Sequence, residues 1–476
     1  MTSTLKWRSV WWWTWRCAAG LIGVALLAHA VATVVTGRRL AHEIALIRAS
    51  GAPVTMLEAA PPPVPDDRNA AILYEEAFRR LPELVPQRDE ETRQITAFLA
   101  LKDCRAREFT YIYRGQTLKA SVQAVQQILS RHAPLFPLLE RAAARPACRF
   151  PVNWEAGAAA LFPHFAKMRA ASRMLAAKAI MDARHGDSSK ALNDIALIFR
   201  ISDHISAEPT LIGQLVRIAC QAIAVNTLSR VLEIAPPSTP QARQMFDALG
   251  RIDEISPFTH ALEGERCFGL WAFDALRRDP AWAAEMFQDF ADRRIAAGHG
   301  LRERVIARLL MLAWLPFLNQ DEVLYIRRMN SVVGLSRLAF REAKQESEAL
   351  ERCAQGLPKY ALLARILPQV FFRAVDARDR ATARIGLAQC GMALRAYQEA
   401  MGRYPASLKE LRGRISWPLP ADPFSGQDFI YRKTGAGYLI YSIGPNMKDE
   451  GGKGLASFRG PPGKEPPDDI VWRMSR

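Results

Sequence analysis

The hydrophobic pattern opens with one long unbroken apolar run, Cys17–Thr36, CAAGLIGVALLAHAVATVVT, which contains no formal charge. At 1.5 Å per residue a helix over it covers about 30 Å, the hydrocarbon thickness of a bilayer. Trp11, Trp12, Trp13 and Trp15 precede it, and indoles favour the headgroup layer. Lys6, Arg8 and Arg16 lie before the run and Arg38 and Arg39 after it. This bias predicts an inside N-terminus with the bulk of the chain outside the cytoplasm. Ala28-His29-Ala30 fits a small-x-small cleavage site, but the run continues through Val34 and Val35, which favours a retained anchor.

Beyond the anchor the period changes. Arg39–Ser50 continues a helical pattern, and Ala60–Pro65 then imposes an extended stretch, since proline blocks helix and restrains its predecessor. Asp66 and Asp67 are cap residues for a helix holding Ile72, Leu73, Tyr74 and Phe78. Leu161, Phe165, Met168, Ser172 and Leu175 recur three and four apart and share one helical face. His185-Gly186-Asp187 breaks that helix, Ala191, Ile195, Ile198 and Phe199 begin another, and Glu208-Pro209 precedes a third over Leu211–Leu232. Helices of this length joined by short breaks predict an irregular bundle or an α-solenoid. Further helices are expected over 240–262, 282–312, 320–356 and 368–402. Within them Leu309–Leu318 is apolar but too short to span, and it reads as a core helix.

After Tyr404-Pro405 the character changes to short, aromatic-rich β-type runs. Asp428–Tyr431 and Tyr438–Ser442 flank Lys433–Gly437, which predicts a β-hairpin, and Gly451–Pro467 should be loop. The expected organisation is a signal anchor over 1–40 with its transmembrane helix at 17–36, a juxtamembrane helix and Pro-rich linker over 41–65, a helical domain over 66–367, and a long helix with a small β head over 368–476.

Composition changes this picture little. The chain is 49% hydrophobic and 24% charged, which excludes disorder as its main state. The net charge of +16 is scattered along helices; it favours anionic lipid headgroups beside the anchor and forms no stripe for nucleic acid. The seven cysteines include no CxxC pair, so zinc and thioredoxin-like chemistry lack a signature. In an oxidising compartment Cys104 and Cys148 could form a disulfide; the alternative is two unpaired thiols.

The common catalytic signatures are missing. There is no GxxxxGK[ST], GxGxxG or GxSxG, and His42-Glu43 is followed by Leu46 where HExxH needs histidine. His164, near Trp154, Glu155 and Arg169, is a candidate base or a structural histidine. His260, Glu263, Glu265 and Arg266 form a dense polar group that on one helix would make surface ion pairs.

The stretch Ile366–Trp472 resembles the end of a G-type major pseudopilin of type II secretion. Gly402-Arg403-Tyr404-Pro405 resembles the GRYP closing that family's helix. Asp422-Pro423-Phe424-Ser425-Gly426 resembles its DPWG turn, Tyr441–Asn446 its YSLGADG, and Asp468-Asp469-Ile470 with Trp472 its closing acidic-Ile-x-x-Trp segment. The resemblance implies a small α+β head and a calcium ion in the last loop. Asn446, Asp449 and Asp469 are the candidate side-chain ligands, with the carbonyls of Ile443 and Ser442. The GFTLIE-like leader is absent, and a long helical domain separates anchor from head. The whole chain also resembles a group of bacterial envelope proteins sharing DDRNAA, CRFP and EPTLIGQLVRIA, here starting at Asp66, Cys148 and Glu208.

These readings predict a mainly α protein held in the bacterial inner membrane, N-terminus cytoplasmic and body periplasmic. Its function would be non-enzymatic, an interaction or scaffold role beside secretion or pilus-like machinery. The alternatives are a structural envelope spacer and an enzyme whose site is assembled from distant helices.

Overall fold

A computed structural model describes residues 3–81, 90–101, 103, 106–113, 115–280, 301–454 and 467–475. Its architecture is mainly helical. Helix α1 (Ser3–Ala49) carries the apolar run and continues without a break beyond it. Two short helices follow, α2 (Met56–Ala59) and α3 (Ala70–Phe78), the latter capped by the Asn69 side chain rather than by Asp66 or Asp67. Then come α4 (Glu90–Leu99) and an unanticipated antiparallel hairpin, β1 (Glu108–Tyr113) with β2 (Gln116–Ser121). Helices α5 (Val122–Arg131) and α6 (Leu135–Ala143) close this N-terminal layer.

The centre is built from α7 (Pro163–Arg184), α8 (Ser188–Ile205) and α9 (Leu211–Ile234), each packed on the other two. Small side chains let them approach: Ala171, Ala176, Ala177, Ala179 and Ala191 are fully buried. Asp187 caps α8 by accepting from the Lys190 amide at 2.9 Å, and Thr210 caps α9 by accepting from Gly213 at 3.1 Å. Residues 240–262 form two helices, α10 (Thr239–Leu249) and α11 (Ile255–Arg278). Gly264 of α11 sits where an added Cβ would lie 1.9 Å from the Pro209 carbonyl, so the α8–α9 connection rests directly on this helix.

Helix α12 (Leu301–Leu335) is one helix through Pro316, and α13 (Phe340–Gln355) is separate from it. The part of the expected 282–312 helix over 282–300 lies outside the described residues. Helix α14 (Leu362–Met401) runs through the middle of the molecule, touching α9, α10 and α12, and ends at Gly402 in the left-handed region (φ 69°). Leu387, Cys390, Leu394 and Tyr397 all face inward along it. After α15 (Leu408–Arg414) comes a three-stranded antiparallel sheet in the order β3 (Ile430–Thr434), β4 (Gly437–Ser442), β5 (Ile470–Met474). The central strand is buried along its whole length, and Trp472 of β5 lies over Gly391 of α14.

The segment 41–65 packs on the body: Glu43 and Ile47 of α1, Val54, Met56 and Ala59 are all buried, with Met56 and Ala59 packed beside Trp154 and Cys267. The expectation for Leu309–Leu318 changes, since most of it is not core. Leu309, Leu310, Leu312, Trp314 and Phe317 are exposed, while Met311 and Leu318 pack on the body, which rests mainly against the C-terminal half of α12.

Candidate functional site in the C-terminal head

The β4–β5 connection gathers most of the residues singled out for an ion, and its geometry starts from the turn before β3. Asp422 accepts from the Phe424 amide at 3.1 Å and from the Ser442 hydroxyl at 2.7 Å. The DPFSG turn and the end of β4 are thereby locked together, and the Ser442 hydroxyl also accepts from the Gly444 amide. The next residues wrap back toward β5. Asp469 is buried and accepts from the amides of Gly452 at 2.8 Å and Lys453 at 3.2 Å. Burial pushes its carboxyl up to about 6; the Gly452 amide opposes this and the adjacent Glu450 carboxyl adds to it.

The five predicted residues therefore divide. Asn446 and Asp469 meet through Glu450, which accepts from the Asn446 side-chain amide at 2.5 Å and from the Asp468 amide at 3.3 Å. Asp449 faces away, accepting from the Tyr441 hydroxyl at 2.8 Å with Arg432 at 3.9 Å. The Ser442 hydroxyl donates to Asp422 while its backbone lies opposite Ile470 in the β4–β5 ladder, and Ile443 precedes the turn at Gly444. Glu450 was missed in the sequence because Asp449, its neighbour, fits an acidic loop equally well. Among the described residues no three His, Cys, Asp or Glu side chains form a metal-holding group. The donor set Asp469, Glu450 and the Asn446 amide suits a hard cation in kind, with carboxylates that repel each other without one.

Two grooves flank this loop. One, about 680 Å³, is lined by Asn226 and Ser229 of α9, Arg384 of α14, Gly452, Gly454 and Asp469. The other, about 380 Å³, is lined by Phe340 and Lys344 of α13, Val375, Pro445 and Asn446. The Arg380–Asp468 ion pair, at 2.6 Å, borders both and separates them. Lys344 donates to the Pro445 carbonyl at 2.8 Å and so ties α13 to the head.

Comparisons with protein-family models, with curated proteins and with solved structures return no match.

The other nominated residues fall elsewhere. His164 is buried with Nε2 2.7 Å from Glu208 Oε1, and its ring stacks on Phe150 at 4.1 Å. Asn69 donates to the Arg149 carbonyl and accepts from its amide, and Ala70 donates to the Ala147 carbonyl. Segments beginning at Asp66, Cys148 and Glu208 thus meet at one buried junction, a convergence that no local spacing could reveal. Its enclosure makes it a latch between α3, α7 and the α8–α9 connection. Cys148 is a buried free thiol pushed above its usual range by burial, and Cys104 lies outside the described residues. In the polar group on α11, Glu263 pairs with Arg337 at 3.1 Å and Arg266 with Asn330 at 2.8 Å, beside a cleft of about 290 Å³. Glu265 leaves that group and accepts from the Leu211 amide at the start of α9.

Proposed function

We propose that the chain is a membrane-anchored scaffold that holds its head and the grooves beside it at a fixed height above the bilayer, outside the cytoplasm. The observation behind this reading is the continuity of α1. The helix leaves its exposed apolar half and enters the body without a hinge, where Glu43 pairs with Arg327 at 2.8 Å. A stalk of this kind would hold the grooves beside the head at a set distance from the bilayer, as presentation of a docking surface requires. By resemblance alone, the partner is a protein of envelope secretion or pilus-like machinery.

Capture from detergent-solubilised membranes tests it. The wild-type chain should retain a stoichiometric envelope protein, and Ser347→Arg in the groove beside Arg380 should release it. Return of no stoichiometric partner would favour the spacer reading.

Calcium, which the resemblance implies, would be held by Asp469, Glu450 and Asn446, and would join the β4–β5 loop to the start of β5. Chelator should then lower the melting temperature by a few degrees, on the scale of about 1 kcal/mol. Asp469→Asn should abolish that difference. A melt identical with and without chelator rules out the ion.

A further inference from the structure

The larger groove beside the head contains a cation that nothing answers. Arg384 of α14 is half-buried in its wall, and among the described residues it has no hydrogen bond and no ion pair. Burial and the Arg380 guanidinium one turn earlier both push its pKa down, so the fold holds this charge at a cost. Other arginines of the body are treated differently. Buried Arg217 and Arg378 are paired with Glu254 and Asp379, and Arg380 holds Asp468 through both carboxylate oxygens, at 2.6 and 2.7 Å. Arg173 of α7 also lacks a carboxylate, but it lines neither groove beside the head.

Helical spacing aims further donors at the same space. Arg380, Arg384 and Leu387 are four and three apart, so they share one face of α14, and Asn226 and Ser229, three apart on α9, line the groove with them. Neither Asn226 nor Ser229 has a side-chain hydrogen bond among the described residues. The carboxylates of the groove are committed elsewhere, Asp468 to Arg380 and Asp469 to the amides of Gly452 and Lys453. In β5 the buried Ile470, Trp472 and Met474 alternate with exposed Val471 and Arg473, which puts the Arg473 side chain on the sheet face away from α14. The groove, of about 680 Å³ and with Val225 and Leu387 as apolar wall, has the size of an organic ligand rather than of a lone ion.

We infer that this groove receives a carboxylate carried on an acidic peptide segment of the docking partner, with Arg384 as its counter-charge and the Asn226 amide and Ser229 hydroxyl as further donors. This deepens the docking reading above and rests on it. A planar carboxylate matches the guanidinium fork and brings one negative charge for one uncompensated cation. A dianion such as phosphate would leave its second charge facing Asp468 and Asp469. The chain thus carries half of an ion pair, destabilising while alone and relieved on docking.

The test uses the full chain in dodecylmaltoside micelles and fluorescein-labelled hexapeptides with one glutamate among apolar residues, each beside its glutamine and phosphoserine counterparts. Fluorescence polarisation should show glutamate peptides binding at least tenfold more tightly than glutamine ones, and Arg384→Gln should remove the difference. The melting temperature of the free chain should be unchanged or raised in Arg384→Gln, since no partner is lost. Absent binding, equal affinity for the two peptides, or a preference that survives in Arg384→Gln overturns the inference. So does a melting temperature several degrees lower in that variant, which would give the guanidinium a structural role, and so does tighter binding of the phosphoserine peptides. A preference seen only in Glu465→Gln would make the chain its own occupant, with the same consequence. In capture from membranes, a partner eluting at the same salt from wild type and Arg384→Gln sinks the inference and leaves the docking reading intact, whereas a wild type that captures nothing sinks both.

Discussion

Among the described residues two helices have the length and apolar composition to cross a membrane, and the fold treats them oppositely. In α1 the stretch Trp15–Ala49 has a mean hydropathy of 2.2 in its most apolar window, and none of that window is buried. In α9 the value is 1.4, and 61% of the window is buried inside the body. The difference lies in their polar residues. Arg217 of α9 is buried and pairs with Glu254 at 2.8 Å, Gln221 donates to the same carboxylate at 2.6 Å, and Thr210 caps the helix. A helix destined for a protein interior can hold charge where a partner waits. The Cys17–Thr36 segment holds none, and its threonines bond back to their own helix, Thr33 to the His29 carbonyl and Thr36 to that of Ala32. Self-satisfied polarity is what a lipid environment requires.

The largest expected effect separates the two helices directly. Leu228 of α9 is fully buried, and Leu228→Asp should unfold the body, at more than about 4 kcal/mol. Leu26→Asp on exposed α1 should leave the melting temperature of the detergent-solubilised body unchanged while costing about 3 kcal/mol of insertion. The readouts are thermal melts and membrane fractionation, and equal melts for the two variants would erase the distinction.

Next in size is the buried pair between Arg217 of α9 and Glu254, which stands just before α11. Arg217→Met strands Glu254, whose carboxyl burial already pushes up, and should cost about 3 kcal/mol in urea unfolding. Adding Glu254→Met should recover most of that loss, since a packed apolar pair replaces an ion pair at little cost. A double variant as unstable as the single one would mean that the pair does more than satisfy itself.

The smallest effect concerns protons. Asp379 is buried beside Arg378, and burial outweighs the guanidinium, raising its carboxyl from 3.8 to about 6. The folded state therefore binds this proton more tightly than the unfolded chain does. Its contribution is full below pH about 4 and declines as pH rises through about 6, by an amount on the order of 1–2 kcal/mol. Asp379→Asn should flatten that part of the stability–pH curve, whatever its effect on absolute stability. An unchanged slope between pH 4 and 6 would show that the carboxyl stays ionised throughout.

Much of the helical plan was legible because local chemistry announces it. The breaks at His185–Asp187 and at Glu208-Pro209 stand between α7, α8 and α9, and the aromatic runs around Gly435 and Gly437 become β3 and β4. The hairpin β1–β2 went unread, since Gln116–Ser121 is polar and half exposed and offers no alternating pattern. The site was legible in part: the acidic loop could be seen, but not which carboxylates it turns inward. Asp449 and Glu450 are adjacent and alike, and only the packing of Tyr441 and Arg432 draws one of them away.

By itself the sequence determined where the chain can bend and which segments cannot remain in water, because caps, prolines and apolar runs act over a few residues. Tertiary structure alone decided what each apolar segment is covered by. Burial depends on surfaces brought together from distant positions, as when α9 found Glu254 while Leu309, Leu310 and Leu312 were left exposed beside α1. The hydrophobic effect is non-directional, so it drives an apolar helix out of water without specifying lipid or protein. That choice was made by the partners the rest of the fold places within reach.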